Sequence, residues 1–495
     1  MILATRLMQR PPPTPQVSPA VVTFDSSHYG PDKSPFPALT HDTPVQMQRY
    51  PFLDDGNLKA CRQAVWELDN PDSLNNSLIL ETGEKADQVH ISQTRPGQLD
   101  VRVNGQLYRF DSDDSEGKPL TFHLKTHGGN DNVRIDPNVT QPIIVEAGDG
   151  DDRVRAGGGY TRLFGGKGND VLHLGSGRGY AEGNDGDDTL MGGAGDTVMY
   201  GNNGNDRLYA GAGPNSKTSY LDGGNGNDRL YAGNGHTVLH GAGGDDRLVG
   251  HDRTTFYTGS GNDAVIANRP GDLIYAQAGA TIKRLNGSVL TTVTVAPSPL
   301  AGLVIKGSPA FVQRVEDDLA LLRSSPQGKQ MLAELEAMAQ RNGAPVTLVE
   351  DLADTGSGYV YGSQELKTLL QYERPPVVGD DPKWGFMVDG VPGSRADRAE
   401  ISYNRSALNV LGGVTHSPIT GLYHEMVHAY NGGNGTALSG STTETFEGEQ
   451  HDVPNSERQA VGLPTTPATT PNPKPFTENA LNEEMGKPLR PQYVG

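Results

Sequence analysis

From Ala147 to Tyr275, apolar side chains return at every ninth residue. One series runs through Val154, Leu163, Leu172, Ala181, Leu190, Met199 and Leu208. After a four-residue insertion it resumes at Leu221, Leu230, Leu239, Leu248 and Tyr257, loses one residue, and continues at Val265 and Ile274. A repeat of this length is a stacked unit that buries its apolar side chain only against its neighbours. The consensus Gly-Gly-x-Gly-x-Asp-x-apolar-x is plain at Gly165 to His173 and at Gly223 to Tyr231. The glycines permit the left-handed backbone of a tight turn. The three residues after the aspartate then form a short strand, and two units complete one coil of a parallel β-roll.

The sixth position of the unit alternates in chemistry. It is Asp152, Thr161, Asp170, Gly179, Asp188, Thr197, Asp206, Ser219, Asp228, Thr237, Asp246 and Thr255, followed by Asp263 and Asp272. Successive units lie on opposite sides of a roll, so the carboxylates are predicted to stack along one side only. Turn carbonyls and carboxylates together make an oxygen cage suited to Ca²⁺. The predicted calcium ligands are Asp152, Asp170, Asp188, Asp206, Asp228, Asp246 and Asp263, opposite a calcium-free row that is mostly threonine. The pair Asp263 and Asp272 breaks the alternation and marks the expected end of the regular ladder. The motif resembles the RTX calcium-binding nonapeptide repeat. Upstream, Thr82 to His90 and Gly129 to Val133 read as decayed copies of the same turn, and Asn104-Gly105 signals a hairpin between two alternating strands. Downstream, the β-branched stretch Thr281 to Ile305 is expected to close the roll.

The period then changes. Ser308-Pro309 reads as a helix cap and first residue, with Phe311, Val315, Leu319 and Leu322 at helical spacing. A second helix follows Ser325-Pro326, carries Met331, Leu332, Leu335 and Met338, and stops at Asn342-Gly343. Val346 to Val349 and Ala399 to Asn404 read as strands, the latter as an edge able to pair with an extended substrate. A third helix is expected around His424-Glu425-Met426-Val427-His428, ending at Asn431-Gly432-Gly433. Positions i and i+4 share a helix face, so both imidazoles can reach one zinc ion, with Glu425 beside it as proton acceptor.

A metzincin would need Gly at 431 and His at 434, where this chain has Asn431 and Asn434. An aspzincin would need Asp three residues after Gly435-Thr436, where the chain has Ser439. A carboxylate further downstream is left as third ligand, from Glu444, Glu447, Glu449, Asp452 or Glu457. Glu457 is favoured, because Asn455 to Pro464 has helical character and a ligand on a second helix gives the gluzincin arrangement. Tyr403, Tyr430 and Tyr493 are candidates to stabilise an oxyanion.

The region from about Gly307 to Gly495 resembles the NleD-like zinc metallopeptidases, effector proteases of Gram-negative bacteria. The matching segments are Pro309 to Phe311, Ser324 to Pro326, His424 to Tyr430, Glu457 to Pro464, Thr477 to Ala480 and the tail from Arg490 to Tyr493. The resemblance implies a zincin fold, host-directed proteolysis and, as substrates, host signalling kinases. It also ranks Tyr493 first among the tyrosines.

Composition adds limits. The 495-residue chain carries a formal charge of −19, which argues against nucleic-acid binding and a polybasic membrane anchor. Only 34% of residues are hydrophobic and 64 are Gly, as a Gly-rich repeat requires. Cys61 is the only cysteine, so no intramolecular disulfide can form. No uncharged apolar run is long enough for a transmembrane helix, and Met1 to Pro19 lacks the apolar core of a secretory signal peptide. The expected organisation is multidomain. It comprises a disordered Pro-rich leader (1–74), an RTX-like parallel β-roll or β-solenoid (75–305, regular over 147–275) and an α+β zincin-type metalloprotease domain (306–495). The expected function is a secreted zinc-dependent endopeptidase, a bacterial effector or toxin delivered into a host cell. The alternative is an adhesive or binding solenoid whose protease-like domain is inactive or self-processing.

Overall fold

The computed structural model describes residues 22–24, 45–67, 75–114, 117–295, 301–351, 356–363, 381–411 and 414–494. The expected disordered leader lies largely outside these. Its described part is not disordered: Val45–Asp54 and Lys59–Glu67 form an antiparallel hairpin that continues into the roll at Asn75–Glu81. The N-terminal boundary therefore moves back from residue 75 to about residue 45, because the first coil buries its open edge under this hairpin.

The roll is a parallel β-solenoid of about ten turns over residues 122–293. Two 13-stranded sheets run along it. Sheet A holds the three-residue strands that follow each aspartate, such as Arg153–Arg155, Val171–His173 and Arg207–Tyr209. Sheet B holds the longer strands, such as Thr161–Lys167, Gly179–Asp185 and Thr197–Asn203. Neighbouring coils pair in parallel at a step of 18 residues. The apolar series forms the core between the sheets, with Leu163, Leu172, Leu190, Leu208 and Leu230 all 0% exposed.

The two irregularities in the repeat have structural solutions. The insertion before Leu221 folds over Lys217, whose buried Nζ donates to the carbonyls of Gly193 (2.6 Å) and Ala210 (2.5 Å). The lost residue falls earlier than the periodicity indicated. Leu239 pairs with Phe256, so Phe256 fills the core and Tyr257 points outward beneath the second domain. The same one-residue shift puts Thr254, rather than Thr255, at the sixth position, opposite Thr237.

Among the described residues Asp263 is the last rung of the aspartate ladder, where the alternation breaks, although strands run on past it. Asp263 accepts the Asp246 N–H on one side, Asp272 accepts the Thr254 N–H on the other, and further strands follow at Thr281–Ile282 and Val289–Val293. Leu303–Lys306 leaves the roll and pairs with Val346–Glu350, so the stretch expected to close the roll is split between the two domains.

The C-terminal domain packs helices against a four-stranded sheet ordered Leu303–Lys306, Val346–Glu350, Glu400–Tyr403, Gly358–Val360. The first three run parallel and the last antiparallel. Glu400–Tyr403 is thus an inner strand, not the expected edge, because Gly358–Val360 covers it. Helix α1 is Pro309–Ser324, capped by the Ser308 side chain, and α2 is Pro326–Asn342, capped by Ser325 and closed by Gly343. Helix α3 is Pro418–Asn434, α4 is Asn455–Val461 and α5 is Glu478–Glu484. No helix among the described residues is long and apolar enough to cross a membrane.

The two domains share an interior. The outward face of sheet B carries Tyr180, Tyr200 and Tyr220, all at most 1% exposed, packed in one cluster with α1. Arg314 of α1 lies over the Tyr200 ring, 3.1 Å from its centroid, donates to the Tyr180 hydroxyl (3.1 Å) and pairs with Asp318 (2.8 Å). Arg405 pairs with Glu182 of the roll at 2.7 Å.

Candidate metal centre

Helix α3 is positioned by its apolar side. Leu422, Tyr423, Met426 and Val427 are all 0% exposed, which turns His424 and Glu425 toward a cleft, with the His428 ring 4.8 Å from that of His424. The helix runs past Asn431-Gly432-Gly433 to a left-handed cap at Gly435 (φ 68°). Gly432 and Gly433 are packing positions, not terminators: a Cβ on Gly432 would lie 2.1 Å from the Tyr359 hydroxyl, and one on Gly433 2.0 Å from Met338 Cε. Helix α4 follows the hairpin Ser441–Phe446 and Glu449–Pro454, buries Ala460 and Val461 against the core and presents Glu457 from its first turn.

Three donor atoms meet there. His424 Nε2, His428 Nε2 and Glu457 Oε2 are each 3.1 Å from the other two. Donors around a tetrahedral zinc, with bonds of about 2.0–2.2 Å, stand roughly 3.3–3.6 Å apart, so this triangle fits such an ion after a slight opening. The charge balance also suits a cation. Burial alone would lower the His424 imidazole, yet hydrogen bonds to Glu457 and Glu478 push it up to about 10. Burial alone would raise Glu457, yet His428 and His424 hold its carboxyl well below the usual range. Burial raises the Glu425 carboxyl, opposed by the two imidazoles.

A supporting shell fixes the donors. Glu478 of α5 lies 2.9 Å from His424 Nδ1 and accepts a hydrogen bond from Arg490 Nη1 at 2.9 Å. Arg490 Nη2 donates to the Tyr493 carbonyl (2.6 Å), which folds the tail over the site. The roll reaches this shell: Asp196 accepts from Thr415, the neighbour of His416, and His416 Nδ1 is 3.5 Å from Glu478. Lys487 donates to Ser417, the cap of α3, and lies 6.0 Å from the Tyr220 ring centroid.

The other candidates fall elsewhere. Glu444 is buried against Arg458 and accepts the Tyr493 and Val494 N–H groups, so it fastens the tail. Asp452 accepts from Thr443, and Glu447 and Glu449 are exposed near the hairpin turn. Tyr403 donates to Asp318 (2.6 Å) at the domain interface, and Tyr430 stacks on Phe476 (4.2 Å). Tyr493 alone of the three tyrosines borders the cleft with His424 and Glu425; its ring is 6.3 Å from that of His424. The sequence reading gave no role to Glu478, Arg490 or Tyr359, although Glu478 and Arg490 sit inside segments that carry the family resemblance. The Tyr359 ring stacks 6.1 Å from that of His428, from the edge strand of the sheet.

In the roll, the seven calcium-ligand candidates form one ladder. Each Oδ1 accepts the N–H of the aspartate one coil before, as in Asp152 to Asp170 (2.8 Å) and Asp170 to Asp188 (2.7 Å). Asp131 and Asp87 extend it backward through the decayed turns. Every Oδ2 from Asp131 to Asp263 is buried without a hydrogen-bond partner. A Cβ on Gly165 would lie 2.2 Å from Asp170 Oδ2, so the glycine clears the space that this oxygen faces. Burial pushes Asp170 up to about 8 and Asp206 and Asp246 up to about 9. Such oxygens need either protons or cations, and their number and hardness fit Ca²⁺. On the other side, Thr161 and Thr197 satisfy their hydroxyls on the carbonyls of Gly159 and Gly195.

No curated protein and no solved structure matches the chain. Residues 146–181, 182–216 and 220–252 match the RTX calcium-binding nonapeptide repeat, and residues 301–493 match the Peptidase M91 family, described as an effector protein. The chain thus joins RTX-type repeats to a peptidase-family effector domain, in that order.

Proposed function

We propose that the protein is a secreted zinc-dependent endopeptidase, an effector that cleaves proteins of a host, carried by a calcium-loaded β-roll. The observation that carries the reading is the triangle of His424, His428 and Glu457 donors with Glu425 on the same helix. Zinc bound by those three residues would polarise the scissile carbonyl and lower the pKa of water. Glu425 is the proton acceptor, poised by burial and by the imidazoles beside it. Glu478 accepts from His424 Nδ1–H, which fixes the tautomer that leaves Nε2 as ligand. Tyr493 is the proposed donor to the developing oxyanion. The strand Gly358–Val360, at the sheet edge beside His428, is the proposed partner of an extended substrate. Host kinases, implied as substrates by the resemblance alone, are not carried forward: nothing in the cleft selects them.

In the roll, calcium is proposed along the aspartate side only. Extracellular calcium modules bind at about 10⁻⁴–10⁻³ M, so the ladder would load outside a cell. The test is metal content and cleavage of a broad protein substrate by the wild type, the chelated protein and Glu425→Ala. Equal cleavage by wild type and Glu425→Ala would sink the enzyme reading.

A further inference from the structure

The roll presents two faces of opposite character. Sheet B is covered by the peptidase domain, whereas the outward positions of sheet A are exposed or half-buried along the roll. In a chain of net charge −19, those positions carry no acid from Asn132–Ile135 to Ala264–Ile266. One column places Arg134, Arg155 and His173 on successive strands. The adjacent column holds Arg153 and then Arg207, Arg229 and Arg247 in direct register. Among the described residues, no hydrogen bond or ion pair closes on the side chains of Arg153, Arg155, Arg207, Arg229 or Arg247. Asp136 takes Arg134 at the strand end (3.3 Å), and Asp187 in the adjoining turn feels the charge of Arg207. At the N-terminal end the strip broadens into a shallow pocket of about 290 Å³ that adds Arg102 and His90.

We propose that this face is a binding site for a linear anionic polysaccharide, of the sulfated class. The shape selects a chain. The strip is two side chains wide; Arg207, Arg229 and Arg247 recur at the strand spacing of about 4.8 Å, and Val171 and Thr189 separate them from Arg153 in the same column. A membrane surface would call for breadth, and this strip has length instead. The chemistry fits paired anionic oxygens, as a sulfate ester offers, on a hydroxyl-rich polymer. Guanidinium forks bind planar pairs of anionic oxygens, and the strip offers them in series. Tyr209 and Tyr231 stand beside the arginine column, stacked on each other at 4.7 Å and 6°. Their faces are turned together, so a nucleic-acid base finds no free plane between them, while their hydroxyl edges remain for sugar hydroxyls.

The test uses the full chain in calcium, with size-defined heparin as probe and titration calorimetry at several salt concentrations. The triple variant Arg207→Gln, Arg229→Gln, Arg247→Gln is expected to lose at least ten-fold in affinity. Its slope of log affinity against log salt should fall by about three, one for each lost ionic contact. The pair Tyr209→Phe, Tyr231→Phe should lose several-fold at an unchanged slope. Circular dichroism and melting temperature of both variants report whether the fold is intact, and Arg229→Gln alone, with a slope lower by about one, serves if the triple variant does not fold. Unchanged heparin affinity in the triple variant overturns the proposal. Equal or tighter binding of single-stranded oligo-dT, or of phosphatidylserine vesicles, overturns the assignment to a glycan.

Discussion

The aspartate ladder and the His-Glu triangle are both proposed cation sites, yet they are assembled in opposite ways. The ladder is made by translation: the same carboxylate recurs at each coil, and each rung is positioned by the next through Asp N–H to Oδ1 bonds. The triangle is made by convergence. His424 and His428 come from one helix, Glu457 from another, and Glu478 from a third, 54 residues from the imidazole it orients. A repeated site tolerates the loss of a member, whereas a converged one does not. That difference can be broken or sharpened by experiment.

Glu425→Ala should cause the largest change, a fall in kcat/KM of about 10²–10⁴ with zinc content and melting temperature held, checked by steady-state cleavage and metal analysis. Arg314→Ala should come next. It leaves Asp318 buried without its cation, while Glu182 keeps Arg405, and denaturant unfolding should show a loss of about 3–5 kcal/mol. Glu478→Gln should weaken zinc affinity about 10–100-fold in competition with a chelating dye.

The chelated roll should respond to pH in the reverse of the usual sense for acidic groups. Its aspartates have folded values raised by burial, from about 6 at Asp152 to about 9 at Asp206. Between the ordinary carboxylate value near 4 and those raised values, the folded state holds protons that the unfolded state has released. Stability is therefore greatest below that window and is lost as pH rises through it. Melting temperature measured in chelator should fall from pH 5 to 9, and calcium should abolish the slope. A single rung removed by Asp206→Asn should have the smallest effect, a shift of a few degrees in calcium at about 2–4 °C per kcal/mol. A collapse of the whole roll in that variant would overturn the contrast.

The sequence disclosed these regions unequally, for the same reason. A translated site is local, so the spacing of Asp152, Asp170 and Asp188 already implied one stacked side. It could not place the deletion: either Phe256 or Tyr257 keeps an apolar residue in the core, and only the pairing of Leu239 decides for Phe256. The helix with both histidines was legible from its spacing, and the Asn455 helix from its apolar pair. Glu478 and Arg490 were not: Glu478 meets His424 from 54 residues away, and the pairing of Arg490 with Glu478 follows no helix or strand period. The inner position of Glu400–Tyr403 was equally hidden, since strand order is a tertiary fact. The docked face of sheet B did leave a trace. Tyr180, Tyr200 and Tyr220 are outward-facing aromatics in a repeat that needs none for its core.

Arg314, held between the tyrosines of the roll and the carboxylates of its own helix, ties the peptidase-family domain to the roll by contacts that scission of the tether would leave in place. The severed halves would stay clasped, as a nicked body. The repeats are therefore a chassis whose collapse would strip the His-Glu triangle of the packing behind it.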